Sequence, residues 1–405
     1  MGKWKETDFG KAPEYWKIET IGSLSKKVTD GSHFSPKPHS VGKYMCSVKD
    51  MTYNRFDFSN CKLISQNDFN KLVAQGCKPE RNDILISKDG ANCLDLIFVF
   101  DQEEDLVLLS SIAIVRLLPN IDSKFVCYFL LSPACQYIMR NNFVSGSAIP
   151  RVVLKDFKKV SILRPPLPEQ KAIASVLSSL DDKIDLLHRQ NKTLEVIAET
   201  LFRQWFVEEA QKNWEDGKIP DEFDYVMGTS PPGESYNEIG AGVPMFQGNA
   251  DFEFRFPQRR IFTTNPKRFA EKHDTLISVR APVGAQNMAN EKCCIGRGVA
   301  AFRYKRNNDY YTYTYFKMKS IMEEIKQFNE TGTVFGSISK GDFEAFDVVL
   351  PTHNLVDSFQ EEVKPIDDKV IANTNQIRTL EKLRDTLLPK LMSGEVRVLA
   401  EDIKR

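Results

Sequence analysis

The stretch Leu180–Phe206, LDDKIDLLHRQNKTLEVIAETLFRQWF, returns later in the chain as Ile366–Met392, IDDKVIANTNQIRTLEKLRDTLLPKLM, at one constant offset and without a gap. Asp181, Asp182 and Lys183 fall on Asp367, Asp368 and Lys369; Thr193, Leu194, Glu195, Thr200 and Leu201 fall on Thr379, Leu380, Glu381, Thr386 and Leu387. In the first copy Ile173, Leu177, Leu180, Ile184, Leu187, Asn191, Leu194, Ala198, Leu201 and Trp205 advance by steps of four and three, which is the seam of a coiled coil. The second copy keeps that seam with Phe359, Val363, Ile366, Val370, Asn373, Ile377, Leu380, Arg384, Leu387 and Leu391. A narrow apolar stripe cannot be buried by a helix on its own, and each copy is the natural partner of the other. Asn191 and Asn373 weaken the seam while fixing its register.

The repeat extends outward from the helices. Asp83–Ser87 (DILIS) and Ser111–Leu117 (SIAIVRL) are apolar, β-branched runs of strand length, and Asp274–Ser278 (DTLIS) and Val299–Arg303 (VAAFR) answer them. Phe125–Arg140 has helical spacing, Val28–His39 reads as a loop, and Val160–Leu163 is a last strand before Pro165 and Pro166. At the offset of the helices, Thr331, Gly332, Thr333, Asp342, Phe343 and Pro351 fall on Ser145, Gly146, Ser147, Asp156, Phe157 and Pro165. The expected fold class is α/β: two mixed α/β domains, 1–165 and 209–351, separated by two long helices, 166–208 and 352–397, with a short tail at 398–405. The helices are expected to pair as an antiparallel coiled coil, giving a pseudo-two-fold repeat. Pro389 is expected to end or bend the second helix. Domains at opposite ends of such a pair suit B-DNA, which returns the same groove to one face about every 34 Å.

Composition narrows the function. The 405 residues are 41% hydrophobic, with no run long enough to span a membrane and no signal-peptide core, so the expected compartment is the cytoplasm. Eight cysteines form no Cys-x-x-Cys pair and read as buried free thiols. Net charge is zero, but the charge is uneven: twelve basic residues face three acids between Arg255 and Arg306, and six face one between Arg140 and Arg164. These zones are two places where a polyanion could lie.

Catalytic chemistry is not legible. Ser230-Pro231-Pro232-Gly233 lacks the polar and aromatic ends of a base-gripping methyltransferase motif, and no Gly-x-x-x-x-Gly-Lys-Ser/Thr loop is present. Asp181-x-Lys183 and Asp367-x-Lys369 have nuclease-like spacing, but positions two apart on a helix diverge, so both are expected to be solvated helix faces. The five histidines show no ligand spacing, and no metal site is expected.

The boundary Pro165-Pro166-Leu167-Pro168-Glu169-Gln170, the LDDKIDLLHRQN segment, LFRQWF and LLPKLMSGEV resemble the DNA-specificity subunit of type I restriction-modification enzymes. Asp30-Gly31-Ser32-His33 resembles its first-loop motif. Phe246–Phe252, Arg280–Gly284 and Ile295–Gly298 resemble its second type of domain. The resemblance implies two target-recognition domains that bind a bipartite site on double-stranded DNA. It implies helices that hold two adenine methyltransferase subunits, to which motor-nuclease subunits are added. It also implies a chain that is not itself an enzyme and carries no cofactor, S-adenosylmethionine, ATP and magnesium belonging to partner subunits. A coiled-coil adaptor with two protein-binding globules would satisfy the repeat equally well.

Reading DNA needs paired donors and acceptors on loops that can enter a groove. In the first domain the candidates are Ser32, His33, Lys88, Ser145, Ser147 and Arg151. In the second they are Gln247, Asn249, Arg259, Arg260, Arg280, Arg297, Thr331 and Thr333. Arg280 and Arg297 sit in glycine- and proline-bearing loops suited to close approach, whereas Arg259 and Arg260 suit phosphates.

Overall fold

Strand Ile112–Leu117 is apolar except at Arg116 because both of its faces are covered. In the computed structural model, which describes residues 3–146, 148–210, 214–330 and 336–398, Ala113 and Val115 enter one core and Ile112 and Ile114 another. Its neighbour Ile84–Ser87 divides in the same way, Ile84 and Ile86 on one side and Leu85 on the other. The period of two typical of strands is therefore present in space but silent in hydropathy.

The chain forms two units, residues 1–184 with 379–405, and residues 185–378. The first contains an antiparallel four-stranded sheet in the order Ser25–Asp30, Ile112–Leu117, Ile84–Ser87, Ile97–Val99. The second repeats that order with Phe223–Met227, Val299–Tyr304, Thr275–Ser278 and Gln286–Met288. Each unit adds a second sheet, three-stranded in the first and five-stranded in the second, containing one parallel pair, Lys43–Cys46 with Leu106–Leu108 and Val243–Phe246 with Cys293–Ile295. Phe125–Arg140 is two helices, Ser123–Leu131 and Pro133–Phe143, because Pro133 disfavours helical backbone at Ser132 and opens the next helix.

The long helices span Leu167–Arg203 and His353–Met392. Within each unit their segments run antiparallel. In the first, Asp181 pairs with Arg384 at 3.0 Å, and just past the end of the second helix Arg397 reaches Glu169 at 3.9 Å. In the second, Asn191 Nδ2 donates to Thr374 Oγ1 at 3.1 Å and Phe202 meets Phe359 edge-on at 5.6 Å. Ile184, Leu187, Asn191, Val370, Asn373 and Ile377 are buried; Leu180, Leu194, Leu201, Ile366, Leu380 and Leu387 are half-buried. Ile173, Leu177, Phe359, Val363 and Leu391 are buried as expected, while toward the C-terminal end of each helix the seam slips by one residue. Phe202 and Phe206 are buried where Leu201 and Trp205 were expected, and Leu388 is more buried than Leu387. A helix of 3.6 residues per turn drifts from a 3.5-residue repeat, and here the drift turns each end toward its own domain core. Pro389 lies in the last turn of the second helix, which ends at Met392 and is closed by Gly394 in the left-handed conformation (φ +75°).

Two glutamines fasten helix to domain. Gln170 accepts from Asp122 N at 3.0 Å and donates to the Pro165 carbonyl at 2.8 Å, which satisfies the start of helix Ser123–Leu131. In the second unit Gln360 accepts from Tyr313 N at 3.1 Å and donates to the Asp309 carbonyl at 3.1 Å. The offset of the repeat puts Val356 under Gln170, so Gln360 performs this task one helical turn later. All eight cysteines are free thiols, seven of them buried. Burial pushes Cys127 and Cys135 up to about 12.

Candidate nucleic-acid interface

In both units the main sheet ends in three loops placed by the same backbone hydrogen bonds. Gly31 N donates to Ile112 O and Ser32 N to Leu108 O; in the second unit Gly228 N donates to Val299 O and Thr229 N to Ile295 O. Gly31 and Gly228 are each required, since a Cβ at either would lie 2.1 Å from a carbonyl oxygen, of Leu108 or of Gly296. Ser87 and Ser278 pair with Ile112 and Val299. Next, Val152 N donates to Lys88 O and Ile338 N to Val279 O. Asp89 bridges Arg151 where Arg280 bridges Ser337. Asp30, Lys88, Asp89 and Arg151 thus occupy the seats of Met227, Val279, Arg280 and Ser337.

In the first unit these seats form a closed charge chain. Lys88 is buried, with Nζ 3.4 Å from Asp30 and 3.0 Å from Asp89. Asp89 also receives Arg151 at 3.3 Å, and Asp30 lies 3.7 Å from the ring of His33. The expectation that Lys88 is available to DNA is therefore corrected: burial forces its charge to be compensated, and two carboxylates do so. Ser32 is likewise buried, its hydroxyl donating to Phe34 O at 2.7 Å and accepting from Phe34 N at 3.0 Å, so it shapes the loop. His33, Ser145 and Arg151 are exposed; Ser145 Oγ donates to the Arg151 carbonyl at 3.3 Å. Ser147 lies outside the described residues.

The second unit opens a cleft of about 450 Å³ at the same place, lined in part by Gln247, Asn249, Arg260, Arg280 and Pro282. Four nominated side chains thus converge. Arg260 is committed to Asp251 at 2.5 Å, and Arg259, outside the cleft, to Glu291 at 2.5 Å. Gln247, Arg280 and Arg297 are exposed and Asn249 half-buried. Among the described residues no carboxylate pairs with Arg280 or Arg297. Arg297 N donates to Ser230 Oγ at 3.3 Å, which pins that loop. Thr331 and Thr333 lie outside the described residues.

The basic zone Arg255–Arg306 is less free than its composition implied. Lys292 is held by Glu271 at 2.6 Å and Arg303 by Asp274 at 2.5 Å, while burial raises Asp274 to about 6. Arg255 is fully buried, stacked 3.9 Å above Tyr315 and 3.0 Å from Asp367. That contact corrects the expectation of a solvated Asp367: the carboxylate is buried and also accepts from Thr312 Oγ1 at 3.0 Å. Its counterpart Asp181 stays half-buried, accepting from Tyr128 Oη at 2.6 Å. The sequence reading missed Asp30 and Asp89. The signal was present, since carrying the match of DILIS with DTLIS two positions further sets Asp89 under Arg280.

Two segments, 13–196 and 211–382, match the family model described as the type I restriction modification DNA specificity domain. The chain is 28% identical over 418 residues to a protein assigned as the MjaX type I restriction enzyme specificity subunit of Methanocaldococcus jannaschii, covering 97% of this chain and 96% of that one. It is 24% identical to the MjaIX specificity subunit of the same organism, covering 98% and 97%. In fold it is similar to the crystal structure of a type I restriction-modification S subunit from M. genitalium, with TM-score 0.61 and 19% identity over 93% and 96% of the two chains. No described helix is long and apolar enough to cross a membrane. The chain belongs to the type I restriction-modification DNA specificity family, as the non-catalytic subunit that carries two target-recognition domains.

Proposed function

We propose that this subunit directs a type I complex in the cytoplasm to a bipartite DNA target, one half-site per domain, with the loops at the end of each main sheet as the reading surface. The observation that carries this is the duplicated three-loop seat, where identical backbone bonds present different polar side chains. A backbone held constant while its tips vary is what direct readout of two unlike half-sites requires. His33, Ser145 and Arg151 serve the first half-site; Gln247, Asn249, Arg280 and Arg297 serve the second. Arg259 and Arg260, already paired with acids, orient the duplex through its phosphates. The long helices scaffold two adenine methyltransferase subunits and the motor-nuclease subunits, which bring S-adenosylmethionine, ATP and magnesium. The test is a mobility-shift assay of the chain with its methyltransferase subunit on a library of split sites. Retention of one split sequence at physiological salt is expected; equal retention of all sequences would contradict the reading.

A further inference from the structure

We infer that Arg280 reads a guanine in the half-site of the second domain, an inference that rests on the DNA reading above and assigns one base to one side chain. The seat of Arg280 is held on both sides, by Ile338 N donating to Val279 O and by the Ser278 hydroxyl, which donates to Pro282 O at 2.7 Å and accepts from Ala285 N at 2.9 Å. The turn fixes where the Arg280 side chain starts, and the planar guanidinium supplies a rigid fork of donors that loses little freedom per hydrogen bond formed. The seat also lacks what neutralises its counterpart. In the first domain Asp89 lies against Lys88 and Arg151, whereas in the second the positions of Asp30 and Lys88 are Met227 and Val279, so the floor is apolar. Other arginines of this domain, Arg255, Arg259, Arg260 and Arg303, are within ion-pair distance of a carboxylate, and among the described residues Arg280 has no such partner.

The cleft favours a base edge over a phosphate. Asp251 is buried there and neutralised by Arg260 at 2.5 Å, which leaves the exposed Gln247, the half-buried Asn249 and the unpaired Arg280 as the polar groups facing a ligand, the donor and acceptor set of base-edge readout. Gln247 and Asn249 carry the amide that matches adenine, and the arginine fork matches O6 and N7 of guanine, the commonest specific contact in the major groove. The half-site of the second domain therefore contains a guanine at the position facing Arg280.

The experiment maps modified adenines genome-wide in cells carrying the complete complex with wild-type chain, Arg280→Ala or Arg280→Gln. Arg280→Ala is expected to lower discrimination at one G·C position of one half-site by about tenfold to hundredfold, the range of a bidentate contact, with the other half-site unchanged. Arg280→Gln is expected to move that position toward adenine. Unchanged recognition in both variants overturns the inference, as does a uniform loss of modification with a shallower salt dependence and no relaxed position, which is the signature of a phosphate contact. A wild-type complex that modifies a split site unaffected by Arg280 overturns this inference alone. One that modifies no specific site overturns the domain reading with it.

Discussion

At the same turn of the same sheet the first domain carries Asp89 and the second Arg280, and in the same helix motif the first carries a half-buried Asp181 and the second a buried Asp367. In both comparisons the backbone is kept and the charge environment is exchanged. Duplication preserved the hydrogen-bonded frame, because every buried N–H and C=O must be satisfied in either copy. The loop tips diverged: in the first domain Asp89 is paired within the chain with Lys88 and Arg151, whereas among the described residues Arg280 has no carboxylate partner. The difference between the units is thus larger at these loop tips than where the strands pair.

The largest expected effect is on the helix motif. Asp367→Ala leaves the charge of Arg255 buried without its nearest counterion, and should cost about 3–5 kcal/mol in denaturant unfolding, while Asp181→Ala, whose partner Arg384 is partly solvated, should cost less. Equal losses would break the contrast. The double variant Arg255→Met with Asp367→Leu should recover much of the stability, because it removes both buried charges together.

Next is the charge chain of the first domain. Lys88→Ala sets Asp30 and Asp89 against each other and should destabilise the chain by about 1–3 kcal/mol, with lost discrimination confined to the first half-site. Relaxation in the second half-site would contradict the assignment of one half to each domain.

A smaller change is expected at Arg259 and Arg260. Each already faces a carboxylate, so replacement by alanine should weaken binding to all sequences alike and reduce the salt slope by less than about one ion per residue in a filter-binding titration. The smallest effect is at Asp105, whose carboxyl is held at about 2 by hydrogen bonds from Lys43 and Lys78. A depressed folded value means stability that is present above the unfolded value near 4 and is lost as pH falls toward 2. Asp105→Asn should therefore flatten acid unfolding in that window by less than about 1 kcal/mol, because both pairs are open to solvent.

Much of the fold was legible because it was written twice. The constant offset between Leu180–Phe206 and Ile366–Met392 identified the helices and their seam, and the match of DILIS with DTLIS identified the main strand of each domain. The ends of the seam were not legible, since whether Leu201 or Phe202 turns inward depends on the domain core that the helix meets. The candidate loops were legible in position but not in the state of their charges. Residue type placed Lys88, Arg260 and Arg280 on loops, yet only the fold shows which acids sit beside them. Asp30 and Lys88 are far apart along the chain, and no local pattern announces that pair. Asp367 shows the same lesson in reverse: its motif looks solvated until Arg255, from a distant loop much earlier in the sequence, is folded beneath it.

The most direct test of a duplicated frame with exchanged chemistry is to replace residues 209–351 by the recognition domain of another specificity subunit and map the modified adenines. A split target in which one half is new and the other is retained base for base is expected. A target changed in both halves, or in neither, would contradict the account.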